Sequence, residues 1–171
     1  MRNLLIISIC SLILTACGTM PYSSTEYPLR AGLIQPVKLV GKADVTNAQT
    51  SDDRVIVYSY MGTKLDSNIK SITETMVQQT EKELLKNGQA VDGEGKKSLA
   101  IKVNSLRSTY TNMMFWRSKI NFEVTLGNGQ VIPFTVAHTS GVLIQDLNGC
   151  IAEGVMTLLN DARVRTYLAE N

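Results

Sequence analysis

Residues 119–138 read Lys119-Ile120-Asn121-Phe122-Glu123-Val124-Thr125-Leu126-Gly127-Asn128-Gly129-Gln130-Val131-Ile132-Pro133-Phe134-Thr135-Val136-Ala137-His138, and their alternation decides the fold. Ile120, Phe122, Val124 and Leu126 fall on one side of a period-2 run, with Lys119, Asn121, Glu123 and Thr125 on the other. Apolar residues at every second position place one face of a strand against a core and the other in water. Asn-Gly between two such runs is the strongest short-range signal for a hairpin, because both residues accept positive φ. The return run, Gln130 to His138, carries Ile132, Phe134 and Val136 inward. Pro133 has no N–H to give a ladder, so this strand belongs at an edge or a bulge.

Upstream, Leu99, Ile101 and Val103 alternate with Lys102 and Asn104 within Ser98 to Tyr110, which predicts a third strand of the same meander. Arg54 to Tyr60 is β-branched and aromatic on both faces and reads as an inner strand. A weaker strand is expected from Pro36 to Val40. Leu65, Ile69, Ile72, Met76, Thr80 and Leu84 recur at helical spacing, so Leu65–Asn87 is expected to be a helix. Thr63 or Asp66 would cap its start and Gly88 its end. Ile144, Leu147, Ile151, Val155 and Leu158 form a second apolar stripe, and Asp161 can cap a short last helix over Ala162 to Ala169. Strand, helix, three meandering strands, helix and helix make an α+β domain. We expect an antiparallel or mixed sheet of about four to five strands with the helices packed on one face.

The first seventeen residues set the address. Arg2 precedes the apolar run Leu4 to Leu14, and small residues then lead to Cys17 and Gly18. The run is short of the roughly 20 apolar residues of a transmembrane helix and has the build of a secretory signal. Leu14-Thr15-Ala16-Cys17 resembles the lipobox of bacterial lipoproteins. That resemblance implies cleavage before Cys17, acylation of Cys17 and attachment to a membrane. Gly18, where an Asp would retain such a protein in the inner membrane, points to the outer membrane with the domain facing the periplasm. Residues 1–16 are then the signal peptide. Residues 17–35, with Pro21, Pro28 and the run Ser23-Ser24-Thr25, read as the lipidated cysteine and a flexible tether. Residues 36–171 form one domain.

Lys and Arg number 17 against 15 Asp and Glu, a balance that suggests neither nucleic acid nor a disordered charged tail. Of three cysteines, Cys10 lies in the signal and Cys17 takes lipid, so Cys150 stands alone. On a helix stripe it reads as a small buried hydrophobe, with a reactive thiol as the alternative. Ser67-Asn68-Ile69-Lys70 has Ser-x-x-Lys spacing without the companion motifs of penicillin-recognising enzymes, and reads as a polar turn. Gly93-Glu94-Gly95-Lys96-Lys97-Ser98 lacks the residues of a phosphate loop and precedes a strand. His138 is the only histidine, with no partners at metal-ligand spacing. No catalytic constellation, metal site or cofactor is indicated.

Tyr110-Thr111-Asn112-Met113-Met114-Phe115-Trp116-Arg117 is the exception to this plain picture. It holds the sole tryptophan at what should be a hairpin tip. The register of Ile120 and Phe122 sends Met114 and Trp116 inward and Met113 and Phe115 outward. Adjacent apolar residues in a loop mark either a docking tip or a sheet covered on both faces. Met113, Met114, Phe115 and Trp116 are therefore the candidate partner-binding residues.

Glu81-Lys82-Glu83-Leu84-Leu85-Lys86-Asn87-Gly88, the strand Asn121 to Thr125 with its Asn-Gly turn, and the closing Asp161-Ala162-Arg163-Val164-Arg165-Thr166-Tyr167-Leu168 resemble the YajG-like lipoproteins of Gram-negative bacteria. More distantly the layout is similar to the auxiliary lipoproteins of lipid-transporting ABC systems. The first resemblance implies an envelope lipoprotein with no family catalytic residues. The expectation is a non-enzymatic accessory factor, held on the membrane through Cys17, that docks an envelope protein. The alternative is a domain that binds or hands on a lipid in a groove between helix and sheet.

Overall fold

The computed structural model describes residues 18–111 and 114–170. Cys17 and Met113 lie outside the described residues. The strands are β1 (Thr19–Pro21), β2 (Val37–Asn47), β3 (Arg54–Tyr60), β4 (Thr63–Asn68), β5 (Gly88–Tyr110), β6 (Trp116–Leu126) and β7 (Val131–Ser140). Helix α1 (Ile69–Asn87) separates β4 from β5, and α2 (Leu143–Asn160) and α3 (Ala162–Ala169) follow β7. One mixed sheet runs β1-β4-β3-β5-β6-β7, with β2 also paired to β5. The α+β class holds, but the sheet has seven strands and not four to five.

The meander is where the alternation puts it. Antiparallel β6 and β7 set Ile120 opposite Val136, Phe122 opposite Phe134 and Val124 opposite Ile132. The two phenyl rings stack with centroids 4.9 Å apart. At the turn the Gly129 N–H donates to Leu126 O over 2.8 Å, and only Gly129 takes a left-handed φ, +86°. That is the three-residue loop with a bulged glycine and not a two-residue primed turn. β7 is the sheet edge, which leaves the missing N–H of Pro133 harmless.

Two of the extra strands come from one misread segment and one misread tether. Met61 and Gly62 both carry positive φ, +46° and +82°, the mark of a type I′ turn. The chain therefore returns beside β3 as β4, with Arg54 opposite Asn68 and Tyr60 opposite Thr63. Leu65 and Ile69 are four residues apart, a spacing that suits period 2 as well as period 3.6. The helix consequently starts at Ile69 and not at Leu65. Its cap is Asn68, whose Oδ1 accepts from Ser71 N at 2.9 Å, in place of Thr63 or Asp66. Gly88 follows in extended conformation (φ −72°), so the chain passes straight from α1 into β5 without the left-handed cap.

Residues 18–35 do not form a free tether. β1 adds to β4 in parallel, Thr19 opposite Lys64. Tyr22 and Ile34 are buried in the core. The Tyr22 hydroxyl donates to Asn148 Oδ1 at 2.5 Å, and Gln79 Nε2 donates to Tyr27 O at 2.6 Å. Glu26 pairs with Lys82 at 2.7 Å. Arg165 closes the segment by donating to Gln35 O and Pro36 O. Apolar side chains spaced along this stretch, Tyr22, Leu29 and Ile34, give it a reason to lie down that its prolines and serines conceal.

All three helices lie on one face. α1 packs on β2 and β5, α2 on β6 and β7, α3 on β2 and β5, and α1 touches α2. The other face is wet: Arg107, Thr109, Arg117 and Lys119 are exposed, and Lys102 pairs with Glu123 at 3.2 Å. No described helix is long and apolar enough to cross a membrane. α2 packs tightly at Gly154, where a Cβ would sit 3.1 Å from Met76 Cε of α1 and 3.3 Å from Phe122 Cε1 of β6. Gly154→Val is expected to cost about 2 kcal/mol by overpacking. Gly154→Ala, which adds one methyl and gains helix propensity, should stay within about 1 kcal/mol of the parent in urea unfolding. Equal losses for both would mean that α2 does not make this contact.

Candidate functional site

Three connections meet at one end of the sheet. β3 ends and β4 begins there at Met61-Gly62, β5 ends and β6 begins there at Tyr110 and Trp116, β7 ends there at Ser140, and α2 starts there after Val142. Register proves the shared level: parallel Tyr58 and Ser108 are partners, Tyr110 faces Trp116, and Trp116 faces Ser140. On this end Met61 is 86% exposed and Met114 78%. Tyr60, Phe115, Val142 and Ile144 are each about half exposed.

Aromatic contacts hold the end together. Tyr60 and Tyr110 rings lie 5.1 Å apart, and Tyr110 meets Trp116 edge-on at 5.4 Å. Phe115 lies over Gly141, where a Cβ would stand 3.8 Å from its ring. The loop closes on Thr111, whose N–H and Oγ1 both donate to Phe115 O, at 2.8 and 3.0 Å. Met61 and Met114 are the two non-glycine residues with positive φ among the described residues, +46° and +61°. A left-handed conformation costs an L-residue about 1–2 kcal/mol, and here it presents a methionine to solvent at each tip.

The register reading placed Trp116 inward and Phe115 outward, and the structure agrees. Met114 was expected inward but is exposed, because its left-handed backbone breaks the alternation of β6 before the strand begins. Tyr60, Met61, Val142 and Ile144 were not foreseen as part of the same surface. Ile144 was assigned to the buried stripe of α2, yet only Leu147, Ile151, Val155 and Leu158 of that stripe are buried. The face of the sheet away from the helices is open to solvent here.

Behind the apolar end sits a buried polar latch. Asp146, in the first turn of α2, is wholly buried. Ser108 Oγ and Ser118 Oγ both donate to its Oδ2, at 2.8 and 2.5 Å, which ties α2 to β5 and β6. Its Oδ1 and Trp116 Nε1 are buried atoms without a partner among the described residues. Burial raises the Asp146 carboxyl above the ordinary range, against the pull of both serines and of the nearby His138. His138 is half-buried against Gly149. Cys150 is buried, and burial pushes its thiol up to about 12, which makes it inert and not reactive. No group of three or more His, Cys, Asp or Glu among the described residues could hold a metal.

A third feature is a groove of 530 Å³ between α1 and β2, lined by Leu39, Ala43, Val45, Leu84 and Leu85. It lies where the lipid-binding alternative requires one.

No family model matches the sequence, and no curated protein matches it. Among solved structures the chain is similar to a protein from Xanthomonas campestris described as a member of DUF330. The identity is 16% over 88% of this chain and 95% of that one, with a TM-score of 0.48. It is also similar to a crystallised protein described as uncharacterized, at 12% identity over 87% and 99% of the two chains, with a TM-score of 0.38. These likenesses carry no role over to the present residues.

Asp146 gives this region a signature in pH. Its folded pKa is raised, so its contribution to stability is fully present below the unfolded carboxylate value and is lost as pH rises through the folded one. Asp146→Asn keeps an acceptor for the two serines and cannot ionise. The stability of this variant relative to the parent is expected to improve as pH rises from about 4 toward 7. A constant difference across that range in urea titrations would show that Asp146 is not desolvated.

Proposed function

We propose that this chain is a non-enzymatic accessory factor of the bacterial cell envelope, anchored through acylated Cys17 to the outer membrane and facing the periplasm. It works by contact, and the contact surface is the apolar end bearing Tyr60, Met61, Met114, Phe115, Val142 and Ile144. The observation that carries this reading is the exposure of so many apolar side chains on one end of a well-packed domain. A contiguous patch of that kind marks a binding surface, and methionine and aromatic side chains suit one that must adapt to an apolar partner. Two left-handed methionines at the tips add support, since backbone strain is kept where function uses it. The YajG-like resemblance accords with an accessory role.

The groove between α1 and β2 favours a second reading, in which the domain carries a lipid chain against Leu39, Val45, Leu84 and Leu85. One experiment separates the two. A photoreactive amino acid at position 115, at position 85 or at the exposed hairpin residue Asn128 at the other end is activated in cells, and the adducts are identified. Contact through the apolar end predicts adducts at 115 and none at 128. Lipid captured at 85 with nothing at 115 would replace the first reading with the second. Met114→Ser with Phe115→Ser should change stability by less than about 1 kcal/mol, because both side chains are exposed.

A further inference from the structure

The apolar end and the start of the folded chain are at the same place. Thr19 of β1 stands opposite Lys64, two residues beyond the Met61-Gly62 turn, and β1 runs parallel to β4 away from that turn. The chain therefore enters the domain at the apolar end. Cys17 is two residues upstream of Thr19, a reach of about 7 Å at full extension. Nothing downstream supplies slack, since Tyr22, Tyr27, Ile34 and Gln35 are all held to the body of the domain. Had residues 18–35 been a free coil, the domain would roam over roughly 23 Å. As built, an acyl anchor on Cys17 brings the apolar end to the bilayer and keeps it there.

Charge points to the same occupant. Lys64, Arg107, Arg117 and Lys119 are exposed on strands β4, β5 and β6 within a few residues of this end. None of them makes an ion pair among the described residues. Arg107 and Lys119 face each other directly across β5 and β6, an arrangement that is destabilising unless an anion lies nearby. A tip of Met, Phe, Val and Ile, a layer of Tyr60, Tyr110 and Trp116, and basic residues behind them reproduce the order of a membrane interface from acyl chain to headgroup. Met20, half exposed on β1, continues the apolar tip toward the anchor.

We infer that the occupant of the apolar end is the lipid bilayer itself. The domain stands on the membrane that holds its acyl chains, with the loops at Met61, Met114-Phe115 and Val142–Ile144 seated at the boundary of headgroups and acyl chains. The inference rests on the anchored contact reading and names its partner. It leaves the opposite face of the molecule, with the α1–β2 groove, free for anything in the periplasm.

Trp116, the sole tryptophan, is a built-in reporter. The acylated mature protein, its anchor checked by intact mass, is reconstituted in vesicles of phosphatidylethanolamine and phosphatidylglycerol. Half of the samples contain lipids brominated near the top of the acyl chain. Trp116 fluorescence is expected to lose more than half its intensity to the brominated lipids. The triple change Met61→Ser, Met114→Ser and Phe115→Ser should relieve most of that loss while leaving circular dichroism unchanged. Inserting a long Gly-Ser run between Gly18 and Thr19 in that variant should abolish what remains. An acylated protein whose Trp116 is not quenched overturns the inference. If position 115 then captures a protein in cells, contact through this end survives with a different partner. An intact mass without acyl chains on Cys17 removes the anchored reading, and this inference with it.

Discussion

Strand β5 has two edges and three partners, and the arrangement of the whole molecule follows from how they share it. β6 takes one edge over the second half of β5, from Leu99 to Tyr110. The other edge is divided. β2 runs beside residues 88–91 and 96–101, and β3 meets β5 only beyond them, at Ser108. Between the two parts of the β2 pairing the register shifts, and β5 bulges with Gly95 against Gly41, whose φ of +71° no side-chain-bearing residue adopts cheaply. Since β3 can pair only past the end of β2, the β3–β4–β1 ribbon is displaced toward one end of the sheet. The start of the folded chain goes with it.

That displacement explains both what is covered and what is left bare. From β1 at the apolar end, residues 22–36 have to travel the length of the domain before β2 can begin. They do so along α1 and α2, filling space over the core with Tyr22 and Ile34 and pairing their polar groups with Asn148, Gln79 and Lys82. At the other side of the same end, Asp146 holds α2 to β5 and β6 through Ser108 and Ser118, which fixes Val142 and Ile144 beside the loops. Three loops with apolar tips are thus brought to one level by strand register, and no element of the described chain crosses over them.

The parts of this that can be read from the residues are those with one dominant local signal. The hairpin at 119–138 shows an unambiguous period of 2 and a glycine turn, and α1 and α2 show long apolar stripes. The parts that cannot be read have signals that cancel or belong to distant partners. Leu65 and Ile69 fit a strand and a helix equally, and Met61 occupies a left-handed turn position that Asn, Asp or Gly usually announces. Residues 18–35 have the composition of a tether, and only the core they meet reveals Tyr22 and Ile34 as anchors. For the site, the run Met113 to Trp116 was legible as a loop too apolar to be ordinary, although Met113 lies outside the described residues. That Met61, Val142 and Ile144 join it depends on sheet order, which no local pattern encodes.

The packing of residues 18–35 removes the slack of a tether, so that an acyl anchor on Cys17 would hold the domain at the membrane surface. Neutron reflectometry of the acylated protein on a supported bilayer measures this height directly. Protein density is expected to begin within the headgroup layer, with no water between the domain and the lipid. A hydrated gap of about 20 Å, the stand-off a free coil of residues 18–35 would allow, would contradict it.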